Sequence, residues 1–427
     1  MREEIKQRIE QIRRGEVPEG YKRTKAGVVP IEWEETRLAR YLVVNSDKNI
    51  GLQYGKDDVF SISGELGIVN QIELLGRSYA GVSVEPYGIV YPDNVVYTKS
   101  PLKANPYGII KTNKTGKTGI VSTLYAIFRC NDNVCPDFVQ SYFELDQNLN
   151  NYLYPIVNIG AKHDMKISDE NSLKGWVVFP PLDEQKKIAE ILAAQDNIVD
   201  LYARKIEKLE KQKKAFMQKM FPQKGESVPR FRFPQFTDPW EERKFGTMFK
   251  RRTERNNGQF DNTRWISVAK MYFQEAKKVS SNNIDTRTYV MRRGDIAFEG
   301  HSNTEYKYGR FVANDIGDGV ISELFPIYMH IDEYDESYWK YAIQIENIMA
   351  PKLLRCIEIS YTSSNKLDED FFLRESVLVP SISEQQQIGL FFRSMDNLIK
   401  VNQQKLAQEK QKKKALLQLL LTGIVRV

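Results

Sequence analysis

Two stretches of this chain repeat apolar residues at alternating steps of four and three. The first runs through Ile188, Leu192, Val199, Tyr202, Ile206, Leu209, Phe216 and Met220, and the second through Ile388, Phe392, Met395, Ile399, Leu406, Leu416 and Leu420. That spacing keeps an apolar stripe on one side of a helix and is the seam pattern of a coiled coil. Gln195 and Lys213 interrupt the first stripe, and Asn402, Glu409 and Lys413 the second. Polar residues in a seam fix register and partner. Each stretch follows a proline, with Asp183 and Ser383 as N-cap candidates. Helices of this length would extend ~58 Å. The alternative is a pair of ordinary amphipathic helices lying on a globular core.

The two stripes are copies of one another. FPPLDEQKKI (179–188) matches VPSISEQQQI (379–388), pairing Pro180 with Pro380, Glu184 with Glu384, Gln185 with Gln385 and Ile188 with Ile388 at an offset of 200. The offset continues to Lys213–Lys214–Ala215 against Lys413–Lys414–Ala415, and backwards to GIVSTLYAIF (119–128) over GVISELFPIY (319–328). Lys166–Ile167 lies over Lys366–Leu367. Further upstream the register slips: VVYTKSPLKANPYG (95–108) faces IAFEGHSNTEYKYG (296–309), and Trp33–Glu34–Glu35 faces Trp240–Glu241–Glu242. Such a run is a duplication. Each copy opens with short β-rich runs punctuated by Gly, Asn, Asp and Pro, which predicts a compact α/β or α+β module, and closes with the long helix.

Composition narrows the picture only a little. Among 427 residues, 41% are hydrophobic and 28% charged, an ordinary globular balance for roughly two to four domains. A net charge of +6 permits nucleic-acid binding without requiring it. Cys130, Cys135 and Cys356 make no CxxC and read as small buried hydrophobes in a reducing compartment. The opening segment is charged and helical, with Ile5, Ile9 and Ile12 on one face. It lacks a signal-peptide core, and no stretch resembles a membrane span, so a cytoplasmic protein is expected.

Catalytic motifs fail on inspection. KTNKTGKT (111–118) ends like a phosphate-binding loop, but Lys111 stands where the first glycine belongs and a β-like run follows where a helix should open. Asn105–Pro106–Tyr107 lacks one proline of the NPPY signature of amino-group methyltransferases, and no glycine-rich cofactor loop precedes it. His163, His301 and His330 are scattered, without metal-ligand spacing. The reading is a binding protein without catalytic residues, metal or cofactor.

A repeated β-rich module ending in [FV]P–x–[IL]–[DS]–E–Q–x–x–I–[AG] runs into a basic heptad helix. TKAGVVPIEWEETRL (24–38) opens the first copy and RFRFPQFTDPWEERKFG (230–246) the second. Together these resemble the specificity subunits of type I restriction–modification systems. The resemblance implies an α+β chain with two tandem α/β target-recognition domains, separated by a long antiparallel two-helix coiled coil in a pseudo-two-fold internal repeat. It divides the chain into an arm with a short helix (1–30), a first recognition domain (31–180), a central helix (181–222), a linker (223–238), a second recognition domain (239–380) and a final helix (381–427). The short first helix is expected to return to the end of the last one. Each domain would read one half of an asymmetric bipartite double-stranded DNA target. The helices would set the spacer and dock two methyltransferase subunits, which restriction-translocation subunits join. S-adenosylmethionine, ATP and Mg are then expected only in those partners, in a bacterial or archaeal cytoplasm, nucleoid-associated. The alternatives are the recognition part of a stand-alone methyltransferase or restriction–modification fusion, and a coiled-coil scaffold.

DNA readers divide labour between cations on phosphates and polar groups on base edges. In the first module the candidates are Arg77, Tyr79, Lys99, Lys103, Lys111, Lys114, Lys117, Lys162 and His163. In the second they are Arg251, Arg252, Arg255, Asn256, His301, Asn303, Lys307, Arg310, Ser364 and Asn365. Clusters 111–117 and 251–256 are expected on phosphate, and 99–103 and 301–303 on bases. Arg252→Ala is accordingly expected to weaken DNA binding and flatten its salt dependence.

Overall fold

The computed structural model describes residues 3–102, 105–157, 165, 167–223, 225–279, 283–360 and 364–427. The chain forms two compact units, one of Met1–Leu201 with Leu406–Val427 and one of Tyr202–Lys405. Both long helices, Leu182–Lys219 and Ile382–Leu421, therefore lend one half to each unit.

The first unit is built on a four-stranded antiparallel sheet in the order Leu42–Val44, Tyr125–Cys130, Val95–Thr98 and Ile109–Thr112. Strand alternation sends successive side chains to opposite faces, and both faces are covered. Val95 and Tyr97 pack with Phe138, Tyr142 and Phe179, and with Ile188 and Leu192 of the long helix. Val96 and Ile127 turn the other way, onto Phe60, Val90 and Val121 of the small strand pairs. Burial on both faces explains why these strands read as continuous apolar runs. The module is closed by Glu34–Arg37 pairing with Trp176–Phe179.

The second unit repeats the design. Its sheet runs Phe249–Arg252, Ile327–His330, Ile296–Glu299 and Arg310–Ala313 in the same order. Phe298, Phe311 and Tyr328 pack with Trp339, Ile388 and Phe392, while Ala297, Val312 and Ile327 meet Ile266, Met291 and Ile321. Glu241–Lys244 pairs with Ser376–Val379 in the register of the first copy. The tight turns at Gly108 and Gly309 explain a shared glycine. Both have positive φ, and a side chain at Gly108 would lie 2.0 Å from the Thr98 carbonyl oxygen.

The expected seam is real, and it runs antiparallel inside each unit. In the first, Ile188 and Leu192 share a core with Leu417 and Leu420, and Gln195 donates to the Glu409 carboxylate at 2.7 Å. Lys413 pairs with Asp196 at 2.6 Å and with Glu144 at 3.0 Å. In the second, Phe216 meets Phe391 and Lys213 pairs with Asp396 at 2.6 Å. Asp196–Lys413 and Asp396–Lys213 are the same pair displaced by the repeat, so most seam interruptions find a partner on the facing helix, the two lysines half-buried rather than fully enclosed. Asn402 instead bonds back to the Leu398 carbonyl of its own helix. One detail differs from the sequence reading. The helices start at Leu182 and Ile382, which puts Asp183 and Ser383 inside the first turn. In the second copy it is Ser381 that accepts the Glu384 N–H.

The duplicated Glu–Gln pair explains its own spacing. Glu184 is buried and binds the Trp33 indole N–H at 3.2 Å and the Arg426 guanidinium at 2.6 Å. Glu384 is buried and binds Arg232 at 2.7 Å through both carboxylate oxygens. Gln185 donates to the Pro180 carbonyl and accepts the N–H of Cys135, and Gln385 does the same with Pro380 and Asp335. Each glutamine thus ties the end of a closing strand to the start of a module helix. The segment after the second long helix reaches the opening arm, as expected: Arg8 donates to the Ile424 carbonyl and Tyr21 to that of Gly423. Among the described residues, no helix is long and apolar enough to cross a membrane.

Glu384→Ala would leave Arg232 without its partner in a site from which water is largely excluded. Breaking such a pair costs about 3–5 kcal/mol. We expect a marked fall in the urea midpoint of the full chain, whereas Glu207→Ala, which removes an exposed pair with Lys211, should leave it unchanged.

Candidate nucleic-acid interface

The candidate contacts divide by their surroundings. Lys103, Lys162 and His163 lie outside the described residues, as does Lys166. In the first module Arg77 and Tyr79 are exposed and stacked on one another, 4.7 Å from guanidinium carbon to ring centre. Lys99 is paired with Asp169, and Lys114 holds both Asp93 and Asp137 at 2.7 and 2.6 Å. Lys117 stays exposed beside Glu73. Lys111 is a correction to the sequence reading. It is buried in its strand near Glu144, and burial pushes its ammonium below the usual lysine range. A phosphate cannot reach it without opening the module.

The stretch 111–118 is a turn between strands Ile109–Thr112 and Gly119–Val121, with no helix after it. Asn113 organises it, donating to the carbonyls of Tyr91 and Lys117. Asn314 plays the same part in the second copy, on Met291 and Gly317. Asn105 belongs to a turn as well, its amide bonded to Asp146.

In the second module Asn256 is the other correction. It is fully buried, its amide donating to the Phe260 carbonyl and Asp285 and accepting the Phe260 N–H. Asn49 does the same for Tyr54 in the first module. This pair of scaffold asparagines escaped sequence reasoning because the two copies are out of register there. Arg252 pairs with the buried Asp295 at 2.6 Å and reaches Glu254, so it supports the sheet edge. In the first module a buried Asn45–Asn94 hydrogen bond stands in the corresponding place. Arg255 is occupied by Glu323, and Arg251 lies against the Tyr328 ring.

The remaining candidates converge. Asn365 is buried, and its N–H bonds the Gly300 carbonyl at 3.0 Å while its amide reaches the Ser302 hydroxyl at 3.2 Å. Gly300 also packs so closely on Ser364 that a side chain there would lie 2.7 Å from its hydroxyl. The loop 300–309 and residues 364–365, distant in sequence, thus form one surface. Of the sequence candidates, His301, Asn303 and Lys307 are exposed on it. Arg310 beneath them donates to the Ala269 carbonyl and lies 3.7 Å from Glu299.

His330 packs half-buried against aromatic rings of the second unit's core. It stacks on Tyr334 at 3.6 Å and touches Phe249 and Trp339, and neither ring nitrogen is hydrogen-bonded among the described residues. Burial pushes its imidazolium down to about 3. An unfolded histidine titrates near ~6.5, so the neutral ring's contribution is intact above that pH and erodes as pH falls toward 3. Replacing it, as His330→Phe, should flatten the loss of stability between about pH 6.5 and 3, measured by thermal denaturation across that range.

Known proteins place this geometry. No protein-family model matches the chain. The specificity subunit of the type I restriction enzyme MjaVIII from Methanocaldococcus jannaschii is 25% identical over 276 residues, 59% of this chain and 62% of that protein. The match thus spans under two thirds of that relative's length. In structure, a chain from work on complex assembly and conformational transition of the type I R-M system superposes with a TM-score of 0.53 at 13% identity, covering 93% of this chain and 99% of that one. The S subunit of the type I restriction–modification system of M. genitalium gives 0.50 at 12% identity, covering 91% and 96%. Sequence over that shared segment, and fold over nearly the whole chain, therefore carry one resemblance, to type I specificity subunits.

Proposed function

We propose that this chain is the sequence-specificity subunit of a type I restriction–modification complex, selecting DNA without altering it. One observation carries the reading. The two modules repeat their sheet order, their buried asparagines and their Glu–Gln helix starts, yet differ in the exposed side chains that the turns present. A scaffold held constant under divergent loops is what a reader of two unlike half-sites needs. Base-edge contact in the second module falls to the 300–309 loop, and in the first Arg77 and Tyr79 are the accessible pair. Methyl transfer and cleavage belong to partner subunits, which would hold S-adenosylmethionine, ATP and Mg.

The long helices offer a place for those partners. Ile198 and Leu201 on the first helix and Leu398 and Val401 on the second are exposed apolar residues at matching positions of the repeat. We assign them to two methyltransferase subunits, one per helix.

Genome-wide mapping of methylated adenine, with and without this chain, tests the function. Loss of one bipartite asymmetric motif is expected, and an unchanged methylome would refute it. The double substitution Leu201→Glu with Val401→Glu should abolish co-purification with the methyltransferase and methylation of that motif, while leaving the circular-dichroism melt unchanged. Full methylation by that variant would remove the docking assignment.

A further inference from the structure

We propose that His301 reads one base pair of the second module's half-site, and that Glu299 is the positioning residue that fixes which ring nitrogen is offered to the DNA. The inference rests on the function proposed above and adds to it the chemistry of one contact.

Glu299 ends the strand Ile296–Glu299 and is 4% exposed. A carboxylate taken out of water is costly unless its oxygens are bonded. The scaffold does not ask for it, because the first module makes the same strand and turn with neutral Thr98 in that place. Thr98 pairs across to Ile109 as Glu299 pairs to Arg310. The short bond of the Glu299 carboxylate goes to the ring of His301, with Nδ1 at 2.6 Å, and the His301 backbone N–H is at 3.1 Å. The Arg310 guanidinium stands further off at 3.7 Å. The buried charge is thus spent on a side chain that is itself 67% exposed.

That arrangement decides what the ring can recognise. A carboxylate only accepts, so the proton between the two groups sits on Nδ1, and in the neutral ring Nε2 keeps a lone pair. Among the described residues Nε2 has no protein partner. An acceptor presented in the major groove selects an amino group: adenine N6 over the guanine carbonyl, or cytosine N4 over the thymine carbonyl. The loop is also stiff on both sides of the ring. Gly300 is tied to Asn365, and the Asn303 side-chain oxygen accepts the N–H groups of Glu305 and Tyr306 at 2.9 and 2.8 Å. A reader needs such support to discriminate between bases.

The test uses the full chain in complex with its methyltransferase, selecting from a randomised duplex pool. His301→Ala should cost about tenfold in discrimination at one base pair of one half-site, leaving the other half-site unchanged. Glu299→Thr, the residue the first module carries, should relax the amino-over-keto preference at that same base pair while His301 remains. Undiminished discrimination at every position in His301→Ala would overturn the proposal. So would a Glu299→Thr variant with unaltered preference. A wild-type complex that selects no sequence would instead refute the function on which the proposal rests.

Discussion

Each long helix starts with a glutamate withdrawn from water, and what answers that charge organises the unit around it. A helix N-terminus favours an acid, but burial makes the carboxylate depend on a specific cation and its geometry. The cation comes from a distant part of the chain both times. Arg426, following the second long helix, holds Glu184, and Arg232, following the first, holds Glu384. The neighbouring glutamine binds the end of the module's last strand and the start of a module helix. Sheet, helix and coiled coil are therefore fixed to one another at a single buried point in each unit. The copies are not identical there, since Trp33 donates to Glu184 whereas the Trp240 indole N–H has no partner among the described residues.

With the modules anchored in this way, the turns are free to diverge. Asn49 and Asn256, and Asn113 and Asn314, tie down backbone that would otherwise leave carbonyls unpaired inside the fold. Around them the polar chemistry has been exchanged wholesale. A neutral Asn45–Asn94 contact in one copy is an Arg252–Asp295 ion pair in the other, and Thr98 is answered by Glu299. The sheet keeps its order through these exchanges.

Much of the fold was legible because it is periodic. The four–three stripe gave both helices, and most of its polar interruptions turned out to pair across the seam. The repeated P–x–x–x–E–Q segment marked where modules meet helices, and the β-like run read after the failed phosphate-loop spacing is a strand. The interface was much less legible. Charge and loop composition cannot distinguish a cation facing solvent from one facing an acid brought close by the fold. Lys99, Lys114, Arg252 and Arg255 all have such acids. Asn256 looked like a loop asparagine and is a core residue, and its duplicate at Asn49 was hidden by the slipped register. No local pattern could have joined the 300–309 loop to residues 364–365.

The central claim is that two equivalent scaffolds read independently, each through its own loops. It is tested most directly by the methylated motif of a chain in which residues 239–380 are replaced by a second copy of residues 31–180. The account predicts that the motif then contains the first half-site twice, with the original second half-site gone. A motif that keeps its original second half-site, or one in which both halves become unrelated to the first, would contradict it.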